Sequence, residues 1–580
     1  MLGDGSAGPG IMGGMSSSPD DARAMTLRFR DVAERVVDAI LEASPEWALE
    51  EGDTRGAHRL TDHSAEGDVQ RTAMLTDALG SLDEIDPDLL PPGDLVDLEV
   101  LRTKVSADLW HTAELRPHTW NPLMYTAGEA LLPLVERELL PLPERLAALT
   151  SRCSALPEYL ATARTRLAEG PGMPRVHVET ALTQLAGDRE LLTRDLPALA
   201  EGDSEAGPAL KSAAGRALEA LEEHESWLRT ELGFADADPR LGARSYAAQL
   251  WYTLDSELSP DALLVRAESD LLATEEAMAE AAAEYEGRPR RPGQVAEVLA
   301  ALADDHPVTS QDLRPTGERA LEHLYRRTRE ADIATVYDDP VQVVPMPESR
   351  RGVAVAYCRP PGPLDPDAHE QPTFIAVSPP PDDWPAERRE SFLREYNGAM
   401  LRNLMVHEGM PGHALQLAHA ARHDGATRVG KLFMSGTFVE GWAVHAEEVM
   451  AGHGWSGARE GEGRRQDLAL RLVRLKTRLR MILNAILDVR VHTGDLTEEE
   501  ALSLLTERGH QEEGEAVGKW RRAQLTSAQL STYYVGYSEM AAIARDLAEA
   551  RPELSERERH DLMLAHGSPP PRHLRALLEL

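Results

Sequence analysis

The segment NLMVHEGMPGHALQL, residues 403–417, combines histidine and glutamate side chains in an order that can bind a metal ion. In the zinc motif H-E-x-x-H, the two histidines lie about 40° apart on a helix, so both imidazoles reach one ion. Here Glu408 follows His407, but the next histidine is His413. This wider spacing turns a regular helix by about 600°, which directs the two imidazoles about 120° apart.

The residues between the two histidines favour a distorted helix. Pro411 has no N–H to donate, and its ring clashes with the carbonyl group of residue i−4, which is His407. Gly409 and Gly412 relax the backbone further. We therefore expect a local bulge here, of the kind often found at functional sites, which returns the second histidine to the face of the first. The alternative is a helix that happens to end near two histidines.

A third metal ligand is expected from GTFVEGWAVHAEEVMAG, residues 436–452, whose apolar residues recur at helical spacing. Glu440 lies in the first turn of this predicted helix. With His407 and His413 it would form a two-histidine, one-carboxylate site whose fourth position is open to water. Glu408 would then be the general base that activates this water.

The same helix permits two further interpretations. Glu447 lies almost directly below Glu440 and would orient a metal ligand from behind. However, Thr437 and Glu440 also match the T-x-x-E capping box. In that case Glu440 would only cap a helix, and the chain would be a non-catalytic helical binding protein.

Arg522, Gln529 and Tyr533 form a second polar group within WRRAQLTSAQLSTYYVGYSEM, residues 520–540. If this segment is one helix, their side chains lie within about 60° of one another. A tyrosine O–H can stabilise an oxyanion, and an arginine can bind a carboxylate through two hydrogen bonds. We therefore expect Tyr533 to be catalytic and Arg522 and Gln529 to bind substrate. The alternative is that Arg522 and Tyr533 are partly exposed and that the phenol bonds to the backbone.

Three other residues compete for the oxyanion-binding role. Tyr534 and Tyr537 are too close to Tyr533 in sequence to be separated from it. His492, in LDVRVHTGDLTEEEALSLL (residues 487–505), is a weaker catalytic candidate, because a lone histidine before a turn is more often structural.

Long helices and a small sheet are expected to position these residues. Ala, Leu, Glu and Arg dominate the composition, and amphipathic patterns extend over most of the chain. Three runs rich in β-branched residues predict strands at 341–346, 352–358 and 373–378. Such a sheet before a metal-binding helix either holds an extended substrate on its edge strand or is incidental.

The predicted fold is therefore mainly α, with a small β-sheet next to the active-site helix. Residues 1–24, rich in glycine, serine and proline, are expected to be a disordered tail. Residues 25–335 would form a helical N-terminal region. Residues 336–580 would form the catalytic region, with the sheet and the active-site helices.

The 580-residue chain has a formal net charge of −37 and a pI of about 4.9. Such a surface repels phosphate backbones and anionic lipids, so neither nucleic acid nor a membrane is expected as a partner. No long apolar run predicts a transmembrane helix, and the N-terminus lacks the basic and apolar regions of a signal peptide. Two cysteines without a C-x-x-C pair fit a reducing, cytoplasmic setting.

Several blocks of the sequence resemble the bacterial "domain of unknown function 885" family, which is placed by resemblance among zincin-like metallopeptidases. The blocks are HEGMPGHALQ (407–416), EGWAVHAE (440–447), DVRVHTGDLTEEEA (488–501), RAQLTSAQLSTYYVG (522–536) and RHDLMLAHGSPP (559–570). The likeness extends over most of the chain and includes RPHTWNPLMY (116–125). It implies a zincin-like fold of the gluzincin type that holds one Zn²⁺ ion.

The E-G-W-A block also resembles the N-E-G-F/W-A motif of gluzincin aminopeptidases, whose glutamate is the third zinc ligand. This likeness supports Glu440 over Glu447 in that role. Ala414 stands where the family often has a second histidine, which leaves His413 as the ligand. His445 stands where tyrosine is usual.

The block that carries Gln529 and Tyr533 also departs from the family pattern. Ser527 and Ala528 replace its proline and glycine.

Residues and resemblance together predict a zinc-dependent hydrolase that cleaves peptide bonds, of short peptides if the helices enclose the cleft. One alternative is a related zinc hydrolase that acts on a non-peptide amide in specialised metabolism. Another is the non-catalytic binding protein described above. Zinc is inferred from the ligand types, and cobalt or manganese can replace it.

Overall fold

The structure, a computed structural model, describes residues 19–346, 356–381 and 384–580. Helices dominate it and a three-stranded sheet accompanies them, so the predicted fold class, mainly α with a small sheet, is confirmed. None of the helices in these ranges combines the length and apolarity that crossing a membrane requires. The buried apolar side chains form three cores.

The first core is built by the N-terminal helices. They are α1 (Pro19–Ala43), α2 (Pro45–Glu50), α3 (Ala65–Asp83) and α4 (Pro92–Trp110). Residues 1–18 of the predicted tail lie outside the described ranges, but α1 begins within its last part. Pro19 suits a first helical position, and Asp20 and Asp21 lie in the first turn, where carboxylates are favourable.

The second core contains apolar side chains from the next five helices. They are α5 (Ala127–Glu136), α6 (Leu142–Ala168), α7 (Arg175–Glu190), α8 (Leu196–Ala200) and α9 (Gly207–Glu231). Helix α6 buries Leu149, Leu156, Leu160 and Leu167 at helical spacing. Cys153 lies on the same face, and burial raises the pKa of its thiol to about 12.

The third core contains the remaining helices and the sheet. The helices before the sheet are α10 (Ala243–Leu254), α11 (Pro260–Glu286), α12 (Gln294–Asp305) and α13 (Leu313–Glu330). Those after it are α14 (Ala386–Glu395), α15 (Gly398–Glu408), α16 (His413–Ala420), α17 (Val429–Leu432), α18 (Gly436–His453), α19 (Gly461–Thr493), α20 (Glu498–Ser503), α21 (Glu513–Leu525), α22 (Ser531–Ala550), α23 (Glu556–Leu564) and α24 (Pro571–Leu577). Helix α19 packs against α11, α15, α18, α21 and α22, which makes it the centre of this part of the molecule. Helix α17 contributes its apolar side chains to the first core instead.

The sheet follows the predicted pattern. Its strands are β1 (Val341–Pro345), β2 (Ala356–Arg359) and β3 (Thr373–Val377), in the order β1-β3-β2. Strand β3 pairs in parallel with β1 and antiparallel with β2, so β2 is an edge strand. Residues 352–355 of the second predicted strand lie outside the described ranges.

The predicted division of the chain at residue 335 stays a prediction. The third core begins at Tyr246 on α10 and therefore includes helices on both sides of that position.

Candidate metal centre

The helix that carries His407 ends directly after it. Helix α15 stops at Glu408, Met410 and Pro411 are joined by a cis peptide bond, and α16 begins at His413. The N–H of Gly412 donates to the carbonyl of Val406 over 3.0 Å, which closes a turn wider than that of an α-helix. The expected distortion is therefore confirmed, and it is a complete break rather than a bulge.

Glycine is required at the break because the backbone passes close to itself. A Cβ atom on Gly412 would lie 2.0 Å from the carbonyl oxygen of His407. The indole N–H of Trp442, on α18, donates to the carbonyl of Pro411 over 2.9 Å. The break is therefore tied to the helix that supplies the predicted third ligand.

Three predicted metal ligands converge across this break. One nitrogen of His407, one nitrogen of His413 and one oxygen of Glu440 all lie within 4.8 Å of one another. Glu440 Oε2 is 3.3 Å from His407 Nε2 and 3.5 Å from His413 Nε2. Two atoms bound to a tetrahedral zinc ion at about 2.0–2.1 Å lie about 3.3 Å apart. These side chains therefore fit a single zinc ion.

Glu440 does not cap its helix. The N-cap of α18 is Ser435, whose hydroxyl accepts from the N–H of Phe438, while the Thr437 hydroxyl donates to the carbonyl of Leu254. The capping interpretation of Glu440 is therefore wrong.

A close crossing of α18 and α22 brings Glu440 towards Tyr533. A Cβ atom on Gly441 would lie 2.5 Å from the backbone of Gly536, and one on Gly536 would lie 2.3 Å from the carbonyl oxygen of Thr437. Only glycine fits on both sides of such a contact. Each glycine lies within one turn of a predicted site residue, so the crossing fixes their separation.

Glu447 lies behind the ligands, at the position predicted for it. His407 Nδ1 donates to Glu447 Oε1 over 2.8 Å, which leaves Nε2 of the same ring free to face Glu440. The other Glu447 oxygen accepts from the amide of Asn403 over 2.7 Å. Asn403 Nδ2 also lies 3.2 Å from the hydroxyl of Thr477 on α19.

The electrostatics of the cluster favour a cation. Burial raises the pKa of Glu440, but hydrogen bonds from His407 and His413 outweigh it and hold the pKa below its usual range. Burial also lowers the pKa of His407, but Glu440 and Glu447 raise it well above its usual value. Two imidazoles thus face a set of buried carboxylates, a charge balance that suits a divalent ion.

Glu408 lies between the ligand cluster and the sheet. It is 7% exposed, and its carboxylate accepts a hydrogen bond from the backbone amide of Cys358 on edge strand β2. Burial raises the pKa of Glu408, against the opposing effect of His407 and His413. A buried carboxyl group with a raised pKa is suited to exchange protons.

Arg522, Gln529 and Tyr533 come together, but not on one helix. Arg522 lies on α21 and Tyr533 on α22, with a turn between them in which Ala528 has φ +63°. The single-helix prediction for this segment is therefore wrong. Arg522 Nη2 donates to Gln529 Oε1 over 2.9 Å, and Gln529 Nε2 lies 3.5 Å from the phenol oxygen of Tyr533.

Tyr533 is the tyrosine that faces Glu440. The Glu440 carboxylate, followed by burial, raises the pKa of Tyr533 to about 12, which keeps the phenol protonated. Tyr534 instead donates to Asp270 over 2.7 Å, and Tyr537 donates to Glu448. These two phenols are bound elsewhere.

His492 is held by the backbone rather than brought to the ligand cluster. Its Nδ1 accepts from the N–H of Leu241 over 3.3 Å, and its Nε2 donates to the carbonyl of Thr526 over 2.9 Å. The ring also stacks on Tyr246. With both nitrogens engaged, His492 fits the structural role that the sequence left open, not that of an oxyanion donor.

Two residues at the centre were missed in the sequence. Asp488 accepts from the backbone N–H groups of Ala528 and Ser531 and from the Ser531 hydroxyl, and thereby holds the turn that carries Gln529. Asn403 is the other. It lies one turn before His407 on the same helix, and helical spacing alone could have indicated it.

The chain matches the family described as "Bacterial protein of unknown function (DUF885)" over residues 45–578. None of the curated proteins matches it.

Two solved structures are similar over nearly the whole chain. One is described as "a putative lipoprotein of unknown function from Shewanella oneidensis", with a TM-score of 0.80, 26% sequence identity, and coverage of 95% of this chain and 100% of that one. The other is described as "the putative lipoprotein from Colwellia psychrerythraea", with a TM-score of 0.76, 16% identity, and coverage of 96% and 99%. The second likeness shows the fold alone.

Proposed function

The chain belongs to the DUF885 family, whose function is unknown, and from this premise we propose that it is a zincin-like zinc hydrolase that cleaves the amide bonds of short peptides. The observation that carries the proposal is the convergence of His407, His413 and Glu440 within 4.8 Å. A single two-histidine, one-carboxylate set with a position left open is typical of catalytic zinc sites rather than structural ones. The hydrogen bond from His407 to Glu447 adds the carboxylate–histidine pair that commonly accompanies such ligands.

The proposed chemistry divides between the ion and the chain. A zinc ion in this site would lower the pKa of a water molecule and polarise a substrate carbonyl. Glu408 would take a proton from the attacking water and deliver it to the leaving amine. Its raised pKa supports both steps, because the carboxyl group must hold the proton between them.

Tyr533 and its neighbours would bind the other charges that develop on the substrate. The phenol stays protonated and would donate to the oxyanion of the tetrahedral intermediate. Arg522 would bind a substrate carboxylate. Gln529, which contacts both Arg522 and Tyr533, would fix the positions of these two side chains. Such an arrangement favours short substrates with a free carboxylate close to the scissile bond. Cytoplasmic localisation stays part of the proposal.

The test is turnover by zinc-loaded protein of a mixture of short peptides, with acylated amino acids as a parallel set. The proposal predicts hydrolysis of some peptides, loss of that activity with a chelator, and recovery on addition of zinc. Hydrolysis of the acylated amino acids alone would replace the peptide substrate with a non-peptide amide. No turnover of either set by protein that holds one zinc ion per chain would overturn the proposed function.

A further inference from the structure

A polar cavity lies on the opposite side of α18 from the predicted metal ligands. It has a volume of about 510 Å³ and is lined by residues of α18, α19, α22 and α23. His445 and Glu448 line it, whereas Glu440 and Glu447 face the ligand cluster. His445 and Glu447 differ by about 200° around the helix, so one helix separates the two sites.

His445 is the first sign that this cavity binds something. Its side chain is 7% exposed, and neither ring nitrogen has a hydrogen-bond partner among the described residues. Its ring packs edge-on against Trp442 and His560. A buried polar atom without a partner costs about 1–3 kcal/mol, so native proteins seldom keep two on one ring without a ligand or water.

The second sign is a group of three arginines beside only two carboxylates. Arg478, Arg545 and Arg559 line the cavity. Within the described part of the chain, Arg478 and Arg559 form no ion pair, and Arg545 has only its neighbour Asp546 at 3.8 Å. Arg559 donates to the backbone carbonyl of Leu554, and Arg478 Nε is buried without a partner.

The two carboxylates in the cavity already have partners. Glu448 lies 2.9 Å from Arg474 Nη2 and accepts from the hydroxyl of Tyr537, while Glu556 lies 2.7 Å from His453 Nε2. Three guanidinium groups therefore face two carboxylates in the cavity, a local excess of positive charge in a chain whose net charge is −37. Like charges gathered in a partly buried cavity repel one another, and a bound anion would relieve that repulsion.

We propose that this cavity binds a small oxyanion, a phosphate or a carboxylate, held by Arg478 and Arg559 with His445 at its base. Guanidinium groups bind both anions through paired, charge-assisted hydrogen bonds, and a neutral imidazole supplies one further N–H. The bound anion rests against α18, the helix that also carries Glu440. The site is independent of the proposed hydrolase activity, because none of its residues contacts the metal ligands' cluster.

The test is calorimetric titration of the zinc-loaded protein with inorganic phosphate and, separately, with succinate, each at matched ionic strength in chloride buffer. We expect saturable one-to-one binding of at least one of the two anions, and the tighter one identifies the class of ligand. Arg478→Gln and Arg559→Gln should each weaken binding about tenfold or more, since each removes a charged hydrogen-bond donor. Arg471→Gln, on α19 but paired with Glu284, should leave it unchanged.

Failure of both anions to bind saturably would overturn the proposal. So would binding that neither arginine variant weakens, because the anion would then lie elsewhere, for example at the metal centre. Each variant is first compared with the wild type by circular dichroism and thermal unfolding. Arg559 is half-buried on α23, so Arg559→Gln provides the test even if Arg478→Gln does not fold.

Discussion

The second core, of helices α5–α9, and the third core, around the candidate metal centre, bury different polar groups. In the second core, buried charged side chains bond to the backbone: Asp188 accepts from the N–H groups of Ala127 and Gly128, and Arg152 donates to the carbonyl of Ala130. In the third core, several buried side chains also bond to one another, as Asn403 and His407 do to Glu447, and Lys476 to Glu395. The second arrangement is the more expensive one, because both partners lose their water.

The network around Glu395 shows the cost of this second arrangement. Glu395 is 1% exposed and accepts from Lys476, over 2.8 Å, and from Arg480. Replacing such groups with apolar residues is often neutral or stabilising, so stability alone does not explain them. Polar groups in the second core therefore join helices, whereas those of the third core mark the part of the molecule proposed to do chemistry.

The strongest test of this division is Glu408→Gln. Loss of the proposed general base should lower peptide turnover about 10²–10⁴-fold while the zinc content stays at one ion per chain. Steady-state kinetics together with metal analysis measure both quantities. Asp188→Asn, in the second core, should leave turnover per folded molecule unchanged. Equal activity of wild type and Glu408→Gln would remove Glu408 from the mechanism.

Tyr533→Phe should have the next largest effect. Removal of an oxyanion donor typically lowers kcat about 10²–10³-fold, and the isosteric ring should keep KM nearly unchanged. Tyr534→Phe is a matched control, because the neighbouring phenol donates to Asp270 instead. A larger loss of kcat in Tyr534→Phe than in Tyr533→Phe would contradict the assignment.

A smaller effect, on zinc affinity, is expected when the hydrogen bonds behind the predicted metal ligands are removed. Asn403→Leu removes the amide that holds Glu447, and groups of this kind typically change metal affinity about 10–100-fold. Competition with a zinc chelator measures the change. Thr477→Val, which leaves the bond between Asn403 and Glu447 in place, should weaken zinc binding less. Unchanged affinity in Asn403→Leu would make this network purely structural.

The smallest expected effect is a difference between the two cores in how their stability depends on pH. Burial, with a smaller effect of Arg164, lowers the pKa of His224 on α9 to about 4, against about 6.5 when unfolded. Below pH 6.5 the unfolded chain therefore binds a proton that the folded chain does not, so stability falls by about 1.4 kcal/mol per pH unit towards pH 4. Glu395 has the same sign in a more acidic window: its lowered folded pKa gives stability that is lost only below about pH 4.5.

Hydrogen exchange measures this difference. Between pH 6.5 and 5, amides of α9 should lose protection free energy before those of α14, and His224→Leu should reduce that loss. The same pH dependence in the variant would show that another group causes it.

The helical class and the pairing of His407 with His413 could be predicted from the sequence because both depend on local spacing. Glu440 lies on another helix, and the resemblance to the gluzincin motif indicated it as the third predicted ligand. Pro411 and Gly412 predicted a distortion between the two histidines. The complete break of the helix involves packing against Trp442 on another helix, which the sequence does not show. The structure brings together Arg522, Gln529 and Tyr533, as predicted. However, the prediction assumed a single helix, and that assumption is wrong. Asp488, 40 residues before Ala528, holds a turn between them, and periodicity does not detect contacts of that range.

The cavity behind α18 was also missed in the sequence, because periodicity does not detect contacts between different helices. Its arginines lie on three different helices, α19, α22 and α23, and the spacing of residues within one helix does not show that they meet.

The central claim is that His407, His413 and Glu440 hold one zinc ion, and metal content by mass spectrometry tests it most directly. Purified wild-type protein supplied with zinc should hold one ion per chain. Glu440→Ala should lose it, whereas Glu447→Ala should still hold zinc at saturating concentrations, with affinity lowered about 10–100-fold. A wild type without stoichiometric metal, or a Glu440→Ala variant that binds zinc as tightly as the wild type, would contradict the account.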